Sequence, residues 1–265
     1  MAAAIQFEGL TKTFISRDNN LVHAIQNVSF EVNEGEFVAL VGPSGCGKTT
    51  TLNVLSGITD LTSGRALIRG GPPSGARFDI GYVFQQDTVL PWKRVTDNIA
   101  TGLVIRSVPK AERQRRALEQ VNRVGLQGFE SAYPFELSGG MRKRVALATA
   151  LVYDPSILLM DEPFGALDAQ TRLILQDELL RIWEADRKTV LFVTHDIGEA
   201  ISLADRVIVM TARPARVKTQ HMIDLPRPRS AADARVHPRF DELYSAIWED
   251  LRPEIQMSQT QTEAA

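Results

Sequence analysis

Cysteine is almost absent from the 265-residue chain, which has one, Cys46. A lone cysteine excludes a disulfide framework within the chain and agrees with a reducing compartment. Charge of one sign is lacking too, since 30 Lys and Arg stand against 32 Asp and Glu for a net charge of −2. That balance supplies no broad positive field, so nucleic acid is not expected as a partner. No uncharged apolar run approaches the roughly 18 residues that cross a bilayer. The first residues, Met1 to Glu8, show no basic stretch ahead of an apolar one, so no secretory signal is expected. Internal repeats and long low-complexity tracts are missing as well. With 44% hydrophobic residues, the expectation is a cytosolic chain of one large α/β domain with a modest appendage, or two small domains. Any membrane attachment would come through a partner.

Short β-rich runs recur at 5–8, 28–32, 37–41, 66–69, 80–84, 157–161, 189–194 and 206–210. Several are continuously apolar and alternate with helical patterns, as parallel strands covered on both faces do. From 86 to 152 the strand signal stops and helical periodicity takes over at 95–106, 109–124 and 139–152. This reads as a helical subdomain inserted into an α/β core. In the second of these helices Arg113, Arg115 and Arg116 mark a solvated face, with Ala117, Leu118, Val121 and Val124 on the other. The expected layout is a main domain over 1–225 and a segment over 226–253. That segment begins with the extended Pro-Arg-Pro-Arg linker and ends in an amphipathic helix near 239–251. The polar tail, 254–265, is expected to be disordered.

Residues 42 to 49 read Gly-Pro-Ser-Gly-Cys-Gly-Lys-Thr, a complete G-x-x-x-x-G-K-[ST] phosphate-binding loop. The first turn of a helix leaves backbone N–H groups unpartnered, and Gly42, Gly45 and Gly47 let the chain curl those donors around a polyphosphate. Lys48 would neutralise the outer phosphates and the Thr49 hydroxyl would ligate Mg²⁺, with Pro43, Ser44, Cys46 and Thr50 completing the contacts to the nucleotide. A glycine-rich turn with no ligand is the plainer alternative. An apolar strand before the loop and a helix after it argue against that.

The run Ile157 to Met160 ends in Asp161 and Glu162. Side chains alternate along a strand, so the two carboxylates point apart and need different tasks. Asp161 suits Mg²⁺, and Glu162 suits the base that polarises an attacking water. His195 follows the apolar run 189–194, where a parallel strand delivers its next residue to the ligand crevice. Packing is the alternative for that histidine. His23, His221 and His237 have no such context and read as surface or structural. Leu137-Ser138-Gly139-Gly140-Met141 opens a helix with a hydroxyl and free amides, which is either a second anion site or an ordinary N-cap.

Taken in order, the phosphate loop, Gln85, Leu-Ser-Gly-Gly at 137 to 140, Asp161-Glu162, Asp168 and His195 resemble the ATP-binding subunit of an ABC transporter over about 5–229. The resemblance implies an α/β fold with a P-loop NTPase core of mostly parallel sheet, an antiparallel β subdomain and the inserted helical subdomain. It implies hydrolysis of ATP with Mg²⁺, catalytic roles for Glu162, His195 and Gln85, and metal contacts from Thr49, Gln85 and Asp161. Two such ATPase subunits would face head to tail, a homodimer being the expectation while the partner's identity stays open, with each ATP between one phosphate loop and the other subunit's Ser138, Gly139 and Gly140. Phe14 would stack on adenine, unless it is a core aromatic, and Asp168 would couple the two sites. Two departures stand out: Met141 replaces the Gln of many members, and Phe14 replaces the commoner Tyr.

The stretches 82–92, 138–144 and 161–169 further resemble the bacterial importers of nitrate, sulfonates, taurine and pyrimidine precursors. This implies two separate transmembrane permease subunits, an external solute-binding protein and a peripheral position on the cytoplasmic face of the inner membrane. Segment 86–94 would line the groove for a permease helix, with Pro91 and Trp92 as apolar anchors unless they pack inside the helical subdomain. The competing class is a soluble ATPase of the same superfamily acting on nucleic acid or ribosomes. Such relatives carry a long coiled coil or two tandem ATPase halves, and this chain has one phosphate loop and no long heptad run. A nucleotide-gated regulator with little hydrolysis is disfavoured by the presence of both Glu162 and His195. None of the residues that select a solute lie in this chain.

Overall fold

The computed structural model describes residues 3–73 and 79–263. The chain forms two units, one from Met1–Arg77 with Arg187–Ala265, the other from Phe78–Asp186.

The first unit opens with a long hairpin of β1 (Ala3–Ile15) and β2 (Leu21–Asn33). Next come β3 (Phe37–Val41), α1 (Lys48–Leu55) and β4 (Ser63–Ile68). Strand β1 pairs antiparallel with β2 and β4. It continues beyond the expected 5–8 because register shifts between Phe7 and Lys12 absorb its half-exposed polar residues without ending the ladder.

In the second unit β5 (Ile80–Val83) is followed by α2 (Val95–Ile99), α3 (Thr101–Ile105), α4 (Lys110–Arg123) and α5 (Gly139–Leu151). Strand β6 (Ile157–Asp161) then pairs parallel with β5, and α6 (Ala169–Asp186) closes the unit. On α4, Glu112 pairs with both Arg115 and Arg116 on the solvated face, while Ala117 and Val121, with Val124 just beyond, are buried. Leu118 does not join them. It is 45% exposed, because the next residue on a helix turns about 100° away from the apolar stripe.

The chain returns to the first unit with β7 (Thr189–Thr194), α7 (Ile197–Leu203), β8 (Arg206–Met210) and β9 (Val217–Met222). Strand β3 lies between β7 and β8, parallel to both, and β9 runs antiparallel beside β8. Every residue of β3 is fully buried, which is why its sequence is apolar without alternation. Its sharp C-terminal end presents the phosphate loop.

The C-terminal part is more ordered than its composition suggests. Arg229 is buried and donates to the carbonyls of Ser202 and Leu225, both at 2.9 Å, and Ser230 caps α8 (Ala231–Val236). The segment is therefore not an extended linker. Helix α9 runs over Arg239–Glu263 and passes through Pro253, so the expected disorder after that proline is corrected for 254–263. Leu243, Ile247 and Leu251 recur every four residues and are buried, giving the helix an apolar stripe. Beside the proline, where one intrahelical bond is lost, Lys218 Nζ donates to Asp250 O and to Glu254 Oε1, each at 2.8 Å. Asp250 also takes His221 Nε2 and Thr219 Oγ1, each at 2.7 Å. Among the described residues no helix is long and apolar enough to cross a membrane.

Candidate functional site

The phosphate loop turns out of β3 and winds directly into α1, with Gly47 at the helix N-cap at φ 129°. A Cβ on Gly47 would lie 2.9 Å from the Ala24 carbonyl oxygen, so both the backbone angle and the space require glycine. Lys48 is 4% exposed, and its Nζ donates to Gly42 O at 2.7 Å and Pro43 O at 2.9 Å. A buried ammonium on two loop carbonyls, at the start of α1, puts positive charge beside the unpartnered first-turn N–H donors of a helix, a donor set that fits a polyphosphate. Ser44 and Thr49 are exposed at the loop, Thr50 half-buried and Cys46 buried. Burial pushes the Cys46 thiol up, with the Lys48 charge opposing.

His195 stands exposed just past β7. Its turn is held from behind: Asp196 N donates to Thr194 Oγ1 at 3.0 Å, Thr194 Oγ1 donates to Glu199 Oε2 at 2.6 Å, and Asp196 caps α7 by accepting from Glu199 N at 3.0 Å. A cavity of about 530 Å³ brings His195 together with Gly42, Pro43 and Ser44. The rest of its lining was not foreseen from the sequence: Leu251, Ile255, Ser258 and Gln259 of α9. Phe14 is not among the lining residues. It lies on β1 opposite Val22, 40% exposed, with Lys12 Nζ 4.7 Å from its ring centroid, so it is not a core aromatic.

The second unit gathers a different set. Asp161 ends β6 and is 3% exposed; burial and then its charge push the Tyr82 hydroxyl well above the usual phenol range. Glu162 adopts a left-handed backbone at φ 41°, a conformation that costs about 1–3 kcal/mol and recurs at functional positions. Gln85 Nε2 donates to Glu162 Oε2 at 3.2 Å. The Gln85 backbone carbonyl in turn accepts from Lys143 Nζ at 2.7 Å, and Asp87 pairs with both Lys143 and Arg142. Those two cations lie on α5, the helix that Ser138 caps by accepting from Met141 N at 3.3 Å. Gly139 and Gly140 form its first turn. Asp168 accepts from Thr171 N at 2.9 Å, and that backbone N–H holds its carboxyl below the usual carboxylate range. Pro91 and Trp92 are exposed, Trp92 at 71%, which removes packing as an explanation for them.

A strand-to-helix phosphate cradle, with an acid pair ending a separate buried strand, defines a nucleotide-hydrolysing α/β protein. Residues 25–165 match the family described as ABC transporter. An uncharacterized ABC transporter ATP-binding protein of Methanocaldococcus jannaschii is 49% identical over 255 residues, spanning 96% of this chain and 94% of that one. The taurine import ATP-binding protein TauB of Rhizobium johnstonii is 47% identical over 238 residues, spanning 88% and 91% respectively. The dimeric post-hydrolysis structure of the ATP-binding cassette MJ0796, bound to ADP and Pi, superimposes with a TM-score of 0.73 at 32% identity, covering 84% of this chain and all of that one. The chain belongs to the ABC transporter family and is one of its ATP-binding, ATP-hydrolysing subunits.

Proposed function

We propose that this subunit powers a bacterial importer of small sulfonate- or nitrate-type anions from the cytoplasmic face of the inner membrane. The observation that carries the hydrolytic part is the hydrogen bond from Gln85 to Glu162, which aims a strained, strand-end carboxylate as the base for an attacking water. The importer part rests on 47% identity with a taurine import protein, taurine being itself an aminosulfonate.

In this reading two copies face head to tail around two ATP molecules. Backbone amides of Gly42, Gly45 and Gly47 and the Lys48 ammonium hold the phosphates of each, joined by Pro43, Ser44, Cys46, Thr49 and Thr50. The N-terminus of the other copy's α5, at Ser138, Gly139 and Gly140, closes on the same phosphates from across the interface. Phe14 provides a stacking face for adenine. Thr49, Asp161 and Gln85 offer the oxygen donors that a hard cation takes, and Mg²⁺ bound there would neutralise phosphate charge. Glu162 accepts the proton of the water, His195 stands at the phosphate cavity to hold the outer phosphate, and Asp168 links the two sites. Hydrolysis removes contacts that both copies share, so the pair opens. Permease subunits docked on the exposed Pro91 and Trp92 of the helical subdomain, 86–152, follow that movement, and a solute-binding protein feeds them. The ATPase domain is assigned to 1–225.

Affinity purification of the tagged chain from detergent-solubilised membranes, with mass spectrometry of its companions, tests this assembly. A polytopic membrane subunit is the expected companion. Recovery of ribosomal or DNA-repair proteins instead would leave the ATP chemistry standing and remove the transport reading.

A further inference from the structure

The turn between β8 and β9 is closed by its own hydrogen bonds. Thr211 N donates to Arg216 O at 2.9 Å, and the Thr211 hydroxyl takes Arg216 N at 3.0 Å and shares its proton between Ala212 O at 2.9 Å and Pro214 O at 3.2 Å. Its next two residues are tied to α9. Ala212 N donates to the buried Glu254 Oε2 at 2.9 Å, and Arg213 O accepts from Gln261 Nε2 at 3.1 Å. From this platform the Arg213 guanidinium reaches the apex of the phosphate loop, with Nη2 2.9 Å and Nε 3.3 Å from Gly45 O.

We infer that Arg213 is a positioning residue of the nucleotide site, set in place by the C-terminal helix. Gly45 sits at φ 71°, a region where glycine is free to take other conformations and where an external hold therefore has an effect. The Gly45–Cys46 peptide is trans, so its carbonyl oxygen and the Cys46 N–H point in opposite directions. Fixing the oxygen on Arg213 fixes the N–H on the far side, where it donates to Pro43 O at 3.3 Å. Two guanidinium nitrogens on one oxygen restrain the plane of that peptide more than a point charge does. Arg213 thus sets the plane of the peptide at the apex of the loop, whose N–H braces the loop on Pro43 O, and α9 acts on the same loop through Glu254 and Gln261. The C-terminal helix is then part of the site on two counts, as the wall of the cavity and as the anchor of its apex.

This proposal rests on the phosphate-loop reading of residues 42–49, and its test separates the two. ATP affinity is measured by titration on the full chain and on Arg213→Ala, Arg213→Lys, Gln261→Ala, the double variant Arg213→Ala/Gln261→Ala, and Lys48→Ala as reference. Arg213→Ala should raise the ATP Kd about tenfold, the scale of one charge-assisted hydrogen bond. Melting temperature should stay within about 2 °C and kcat at saturating ATP within about threefold, because an exposed side chain away from the reacting atoms is removed. Arg213→Lys keeps the charge and should recover less than half of the loss in log affinity. Gln261→Ala should raise Kd about threefold, and the double variant should bind no more weakly than Arg213→Ala alone, as residues acting in series do. Unchanged affinity in Arg213→Ala, full recovery by lysine, or additive losses in the double variant each overturn the proposal. If Lys48→Ala also binds ATP normally, the phosphate-loop reading has failed first.

Discussion

The side-chain amide of Gln85 donates to the carboxylate of Glu162 at 3.2 Å, while the backbone carbonyl of the same Gln85 takes the Lys143 ammonium at 2.7 Å. One residue thus touches both the carboxylate beyond β6 and the helix that Ser138 begins. Replacing Glu162 by Gln keeps the shape of the side chain and removes its capacity to accept a proton. ATP binding should persist, and turnover should fall about a hundredfold or more, the scale of a lost general base. Steady-state phosphate release beside equilibrium ATP binding measures both, and near-normal turnover would refute the role given to Glu162.

Lys48 has a second consequence. Its Nζ is buried against Gly42 O and Pro43 O, so Lys48→Ala removes a positive charge and also a brace across the mouth of the loop. ATP affinity should drop by at least about tenfold, because a buried charge that meets a phosphate is worth more than an exposed pair. Direct titration of ATP against the variant is the measurement, and unchanged affinity would count against the cradle.

Strands that are apolar on both faces were legible to the residue: Phe37–Val41, Ile157–Asp161, Thr189–Thr194 and Arg206–Met210 fall where the runs stand. Strand β9, Val-Lys-Thr-Gln-His-Met, carries no such run because among the described residues it is an edge strand beside β8 and leaves most of its residues part-exposed. The helix beyond Pro253 was hidden for a related reason. Its order comes from a few distant ties, Glu254 to Ala212 and Gln261 to Arg213, and not from a local apolar period. In the site, the phosphate loop and the Asp161-Glu162 pair are local motifs and could be read in place. Arg213 lies 168 positions from its partner Gly45, and a lone arginine in a turn gives no sequence signal of that contact.

The two glycines after Ser138 are set apart by packing. A Cβ on Gly140 would lie 2.7 Å from Thr171 Cγ2, whereas on Gly139 the nearest atoms are 3.8 Å away. Gly140→Ala must displace the Thr171 side chain or move α5 against α6, at a cost of about 1–3 kcal/mol, lowering the melting temperature by several degrees with or without ATP. Gly139→Ala should melt as the parent does. A loss of ATPase activity in Gly139→Ala then reports on what approaches the start of α5 from outside, and thermal melts run beside the assays keep the two effects apart. Equal melting temperatures for the two variants would show that the α5–α6 contact does not set the need for glycine.

Cys46 offers a chemical readout of the loop without any substitution, since it is the chain's one cysteine. It is 1% exposed, and burial raises its thiol pKa. A raised pKa means less thiolate at any given pH, and the thiolate is the species that attacks an electrophile. At pH 8 the native protein should therefore react with a maleimide at least about tenfold more slowly than the same chain in denaturant, both effects acting in the same direction. Raising the pH should speed the native reaction at values where an exposed thiol has already reached its plateau. Saturating ATP should slow labelling further, because ligand held on the loop lowers the population of open states that expose the sulfur. Intact-mass kinetics with and without ATP decide the matter: native labelling as fast as that of the unfolded chain would mean that the loop does not bury Cys46, and protection by ATP that vanishes in Lys48→Ala would trace the effect to the phosphate loop.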